Sequence, residues 1–228
     1  MVNGMKNKVL NKFHKFLKSF GIVFLYIFLQ VMLGDIFRLN LSSKNAFIYR
    51  NSLLLIYVLL FLIISLFFLP KLIKDLKSFK KEYLFIALKN WVYGFIVMII
   101  SNLYLIHFVG NIAGNEATNR TLLSSYPIQA ILIMSVFAPA LEEIVFRLNI
   151  KNAINNKYIF MLVSGLLFGS MHVASFSSLK ELLFLIPYGS LGFFFAKTNY
   201  ETDNIFPSII SHSFHNTLSI LLIFLVGI

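Results

Sequence analysis

The sequence predicts an all-α fold, a polytopic transmembrane helix bundle of about seven spans (six to eight) led by an amphipathic helix. Three observations predict it. Of the 228 residues, 58% are hydrophobic and only 13% charged, with a mean hydropathy of +0.81; a soluble domain is about 45–50% apolar and about 25% charged. The apolar residues are gathered into runs close to the roughly 20 residues that cross a bilayer core. The basic residues, 16 Lys and 4 Arg, fall mostly in short segments between those runs, which is how loops facing anionic lipid are built. The net charge of +11 is therefore a membrane-surface property and does not point to nucleic acid.

Residues 1–19 hold five lysines, while Val9, Leu10, Phe13, Phe16, Leu17 and Phe20 recur at helical spacing. This predicts a basic amphipathic helix on the membrane surface, followed by a single transmembrane domain over 20–228. A signal peptide is the weaker reading, because the run 20–37 is long and no small-x-small cleavage site follows it. Apolar runs at about 20–37, 52–70, 91–110, 127–146, 158–174, 182–196 and 205–227 give the seven spans. The run 182–196 is short and contains Pro187, Gly189 and Gly192, so a broken or re-entrant helix is expected there. Residues 70–89 form a second lysine-rich amphipathic stretch. Placing the N-terminus in the cytoplasm puts fifteen of the 20 Lys and Arg inside, in 1–19, 71–90, 147–157 and 197–204. That orientation is the one the positive-inside rule favours. No repeat and no second domain is visible, and the Lys-, Asn-, Ile- and Phe-rich composition suits a bacterial cell membrane.

Ionisable groups inside apolar runs are costly, roughly 2.5–3.5 kcal/mol each on insertion scales, and are functional candidates by default. Three clusters qualify. Glu142, Glu143 and Arg147 lie in the run 127–146 and just beyond it. Glu143 and Arg147 are i,i+4 neighbours that can pair, while Glu142 points about 100° away and stays free for another partner. Both acids could instead merely balance Arg147 at a cytoplasmic helix end. His172 lies seven residues beyond Gly165, whose pairing with Gly169 allows close helix approach; its helical face should look into the packed interior. His212 and Asn216 share a face of the last run, with His215 slightly off it. The alternative for this last cluster is polar glue between helices.

One free carboxylate and two or three imidazoles from three helices suit two chemistries. In one, Glu142 acts as general base on a water with help from His172, while His212 and Asn216 donate to the oxyanion. In the other, Glu142, His172 and His212 bind a divalent metal such as zinc that activates the water. The cofactor is thus either none or a divalent metal. The absence of cysteine excludes disulfides, thiolate catalysis and Cys-ligated metals. There is no H-E-x-x-H, no G-x-G-D and no G-x-S-x-G, which argues against the other intramembrane protease chemistries.

The motifs E-E-x-x-x-R (Glu142, Glu143, Arg147), F-x-x-x-H (Phe168, His172) and H-x-x-x-N (His212, Asn216) occur in that order. This resembles the CPBP (Abi) family, the CAAX prenyl proteases and bacteriocin-processing enzymes of the Ras-converting type. The resemblance covers about residues 127–219. It implies an intramembrane endopeptidase in which Glu142 and His172 activate water, and His212 and Asn216 stabilise the oxyanion. Glu143 and Arg147 would support them, and His215 is an imidazole the motif does not require. The implied partners are the lipid bilayer and membrane-associated peptides or protein tails, in CAAX-type or signal-peptide processing or in bacteriocin immunity. Two other functions fit the same residues: a proton-coupled transporter, and a non-catalytic scaffold or immunity protein.

Overall fold

A computed structural model describes residues 2–40, 46–109, 114–173 and 179–226. Among these residues there are eight helices and no strand. The helices are α1 (Val2–Asn40), α2 (Ala46–Lys77), α3 (Glu82–Val109), α4 (Gly114–Ser125), α5 (Pro127–Ala153), α6 (Lys157–His172), α7 (Leu185–Thr202) and α8 (Phe206–Val226). A 3₁₀ segment, Leu179–Phe184, leads into α7.

All seven apolar runs are helical, but they are not equivalent. Five helices are long and apolar enough to cross a bilayer: Leu10–Met32, Asn51–Lys77, Glu82–Phe108, Pro127–Ala153 and Phe206–Leu225. The other two are shorter. α6 has 16 residues, about 24 Å of rise, and α7 carries Lys197 and Glu201 in its last turns. No break separates residues 1–19 from the first span, since α1 is continuous. Its Leu10, Phe13, Phe16 and Leu17 are all exposed, as an apolar face lying against lipid requires. Within 182–196, where a broken helix was expected, the 3₁₀ segment ends at Phe184 and passes into α7, with Pro187 in its first turn, where a missing N–H costs nothing.

α6 and α7 form the tightest helix pair, and glycine is the reason. A Cβ at Gly165 would stand 2.7 Å from the Gly189 carbonyl oxygen, and one at Gly169 would stand 2.9 Å from the Gly189 nitrogen. Only bare backbone permits this approach. Elsewhere the outward faces are apolar: Leu66, Phe67, Phe85, Leu103 and Leu225 are exposed, which a bilayer rather than water satisfies.

Polar contacts join the lysine-rich ends of the helices. Asn156 caps α6, accepting from the Tyr158 and Ile159 nitrogens at 3.0 and 3.1 Å. Buried Asp75 pairs with Lys71 at 2.8 Å and accepts from the Ile205 nitrogen at 3.1 Å. Asn204 donates to the Asp75 carbonyl at 2.6 Å, and Lys151 pairs with Asp203 at 2.7 Å. Asp203 sits at φ 47°, a left-handed turn that Asp and Asn tolerate. These bonds fix where α2, α5, α7 and α8 end relative to one another.

Candidate active site in the membrane core

The site is built around α5, which is not a regular α-helix. Two π-helical turns, Ile133–Phe137 and Ile144–Asn149, bracket the segment that holds Glu142 and Glu143. Such turns close i→i+5 bonds and recur at functional sites. Donors from neighbouring helices reach a carbonyl in each of them. Asn216 of α8 donates to the Met134 carbonyl at 2.9 Å, and Ser164 of α6 donates to the Phe146 carbonyl at 2.6 Å.

The two acids have different surroundings. Glu143 is fully buried, with its Oε2 3.2 Å from Nε of Arg147, which is also 0% exposed. The pair is an ionic contact rather than an aligned hydrogen bond. The guanidinium also lies 4.4 Å above the Phe168 ring, and it donates to the Gly192 carbonyl at 3.4 Å. Arg147 was expected at a cytoplasmic helix end; it is instead a core residue, because α5 continues two further turns to Ala153. That correction also moves Glu142 deeper. It lies eleven residues from the end of α5, about 16 Å, against about 22 Å for His172 from Lys157, so the two reach comparable depths.

Glu143 also has a second partner. Its Oε1 accepts from His212 Nδ1 at 2.9 Å, so that imidazole is held by the acid the motif would make a supporting one. His212 Nε2 then faces Glu142, 3.8 Å from its Oε2. This is too long for a direct hydrogen bond and suits a bridging water. Glu142 keeps 15% of its side chain exposed. His172 Nδ1 donates to the Phe168 carbonyl at 2.9 Å, which leaves Nε2 with its lone pair. The ring stacks on Tyr188 at 4.6 Å.

A cavity of about 310 Å³ gathers these groups. Glu142, His172, His212, His215 and Asn216 all line it, with Phe168, Phe195 and Tyr188 among its aromatic walls. Tyr57 of α2 lines it too and accepts from Gln30 at 3.3 Å. Trp91 of α3 donates to His215 Nδ1 at 3.4 Å, so His215 carries its proton on Nε2. Tyr57 and Trp91 lie in the first 110 residues, where no polar cluster in the sequence singles them out. Among the described residues, no three His, Asp or Glu side chains come together as a metal-holding group. Glu142, His172 and His212 do not form such a group, and the steps proposed below use only this chain's own groups.

Fold and site together define a class: a polytopic, all-helical integral membrane protein with an acid–imidazole cavity inside its bundle. Residues 124–218 match the family described as type II CAAX prenyl endopeptidase, Rce1-like, which supports the CPBP resemblance carried by the three motifs within them. It is 30% identical over 236 residues to a Mycoplasma capricolum subsp. capricolum (strain California kid) protein named "Uncharacterized protein", covering 94% of this chain and 66% of the relative. It is 27% identical over 158 residues to "Putative membrane peptidase YdiL" of Bacillus subtilis (strain 168), covering 65% and 62%. The chain thus spans just under two thirds of the length of these curated relatives. No solved structure matches it.

Proposed function

We propose that the chain is an intramembrane endopeptidase acting on membrane-associated peptides or protein tails, with Glu142 as the base. The observation that carries this is the single cavity into which Glu142, His172, His212 and Asn216 all open from α5, α6 and α8. A water between Glu142 and His212 Nε2 loses a proton to the Glu142 carboxylate and attacks the scissile carbonyl carbon. His172 Nε2, a free lone pair, orients that water from the third helix. The developing oxyanion accepts from the Asn216 N–H not used by Met134. It accepts also from His212 Nε2 when that ring is protonated, with Nδ1 held by the Glu143 carboxylate. The amide C–N bond then breaks as the proton held by Glu142 passes to the leaving nitrogen.

CAAX-type tails, other lipid-anchored peptides, signal peptides and bacteriocins are the substrate classes this reading admits. The test is cleavage of quenched-fluorescent peptides, prenylated and unprenylated, by protein reconstituted in liposomes. Glu142→Gln, His172→Ala and His212→Ala should each lower kcat by at least about 10²-fold, the lower end of what a general base contributes. Folded variants that cleave as fast as the wild type refute the reading and leave a transporter or a scaffold.

A further inference from the structure

The cavity has a floor and a direction. The end of α2, the start of α3, the α5–α6 turn and the α7–α8 turn lie on one face. They are cross-linked there by Asp75 to Ile205, Lys151 to Asp203 and Asn90 to Glu201. Cavity-lining residues stop short of that face. No residue of α5 after Glu142, of α7 after Phe195 or of α8 before His212 lines the cavity. His212 stands six residues above the start of α8, and Phe195 seven residues from the end of α7, each about 10 Å of rise. Below them the space is filled by the Glu143–Arg147 pair and by Ser208, which donates to the Phe195 carbonyl at 3.0 Å.

On the other side the cavity continues. Leu53 lies in the opposite half of α2, Asn119 and Leu122 belong to α4, and Ser219 and Ile223 to the far half of α8. The face below the floor is also the lysine-rich one. Lys71, Lys74, Lys77, Lys80 and Lys81 cluster at the α2–α3 turn, with Lys151, Lys157 and Lys197 beside them. Burial of Arg147 removes it from the count of surface charges, yet fourteen of the 20 Lys and Arg still belong to this side. Such an excess marks the cytoplasmic side of a membrane protein.

We propose that the cavity is fed from the extracytoplasmic side, so that its substrates are segments of exported or outer-leaflet-anchored polypeptides. The lining on that side, Leu53, Leu122 and Ile223, suits an extended segment with apolar side chains that emerges from the outer leaflet. The substrate half of this proposal rests on the peptidase reading; the side of access does not.

The chain has no cysteine, so single thiols report access without background. Asn119→Cys and Ser219→Cys place a thiol in the cavity wall, and Lys80→Cys places one at the exposed α2–α3 turn. Neither cavity position is assigned to the chemistry. Each full-length variant is expressed in bacterial cells and treated with a membrane-impermeant maleimide, before and after permeabilisation. The expected result is labelling of Asn119→Cys and Ser219→Cys on intact cells, and of Lys80→Cys only after permeabilisation. The reverse pattern, or cavity thiols that react only once cells are opened, overturns the proposal. Two cavity positions protect against the misfolding of either variant. Access and chemistry fail separately. Outward labelling with no Glu142-dependent cleavage sinks the peptidase reading alone, and inward labelling with cleavage intact sinks this one alone.

Discussion

Arg147→Met is the sharpest perturbation of the site's foundation. The side chain is fully buried, its Nε is 3.2 Å from Glu143 Oε2, and its guanidinium lies over Phe168. Methionine fills a similar volume without the charge. What it leaves behind is the Glu143 carboxylate in a dry interior, with only His212 as partner. Removing one member of a buried ion pair costs about 3–5 kcal/mol, because the remaining charge is uncompensated. The lower part of that range applies here. The contact is not an aligned hydrogen bond, and one guanidinium nitrogen, Nη1, already lacks a partner. A loss of about 3 kcal/mol corresponds to a fall in Tm of roughly 6–12 °C for a chain of this size. Thermal unfolding in detergent, followed by the Trp91 fluorescence, measures it.

The double variant Arg147→Met/Glu143→Gln separates the ion pair from simple packing. Glutamine keeps the shape and can still accept from His212 Nδ1, but carries no charge. It should recover half or more of the lost stability while leaving cleavage impaired, because His212 Nδ1 then donates to a neutral amide in place of a carboxylate. A single variant within about 1 kcal/mol of wild type would refute the account. So would a double variant less stable than the single.

Three further outcomes follow from other parts of the molecule. Gly165→Ala drives a Cβ to 2.7 Å from the Gly189 oxygen and 2.9 Å from the Phe193 nitrogen, both backbone atoms; overpacking should cost about 1–3 kcal/mol and, by shifting α6 under His172, lower kcat. Gly21→Ala, where nothing lies within 4 Å, should instead stabilise by about 0.5–1 kcal/mol, and equal melting shifts for the two would contradict the packing argument. Burial pushes the Asp203 carboxyl up, but Lys151 and then Lys71 outweigh it and hold it below its usual 3.8. A depressed acid stabilises fully above its unfolded value and loses that contribution as pH falls through the folded one. Stability of the wild type should therefore decline below about pH 4 more steeply than that of Asp203→Asn, which keeps the left-handed turn. Parallel pH profiles would show that the Lys151 contact contributes nothing. Finally, a divalent-metal chelator should leave cleavage unchanged; loss restored by added zinc would show that Glu142 shares its water with a metal.

Much of the bundle was legible because hydropathy reads lipid directly. Every apolar run is a helix, and the spacing of Gly165 and Gly169 announced the close approach of α7. The i,i+4 relation of Glu143 to Arg147, and the shared face of His212 and Asn216, are consequences of helical period alone. The misreadings have a common cause. Arg147 looked like a surface charge because a run of apolar residues ended there; whether a charge is buried depends on its partners, and these come from α6 and α7. The π turns of α5 have no signature in local composition, since they exist through donors on other helices, Asn216 and Ser164. Tyr57 and Trp91 were invisible for the same reason, as ordinary aromatics in apolar runs until Gln30 and His215 are placed beside them.

Successive helical residues point about 100° apart, which is why two adjacent acids can have separate surroundings. Residues four apart are neighbours on one face. Arg147 is thereby set above Glu143, on the side away from the cavity, and Glu142 is left facing into it. In the π turn that follows, the Phe146 carbonyl accepts from Ser164, tying α6 and its His172 to α5. In the earlier π turn the Met134 carbonyl accepts from Asn216, tying α8 and its His212 to α5. Each irregularity in α5 is thus the anchor for one of the two helices that bring an imidazole to Glu142.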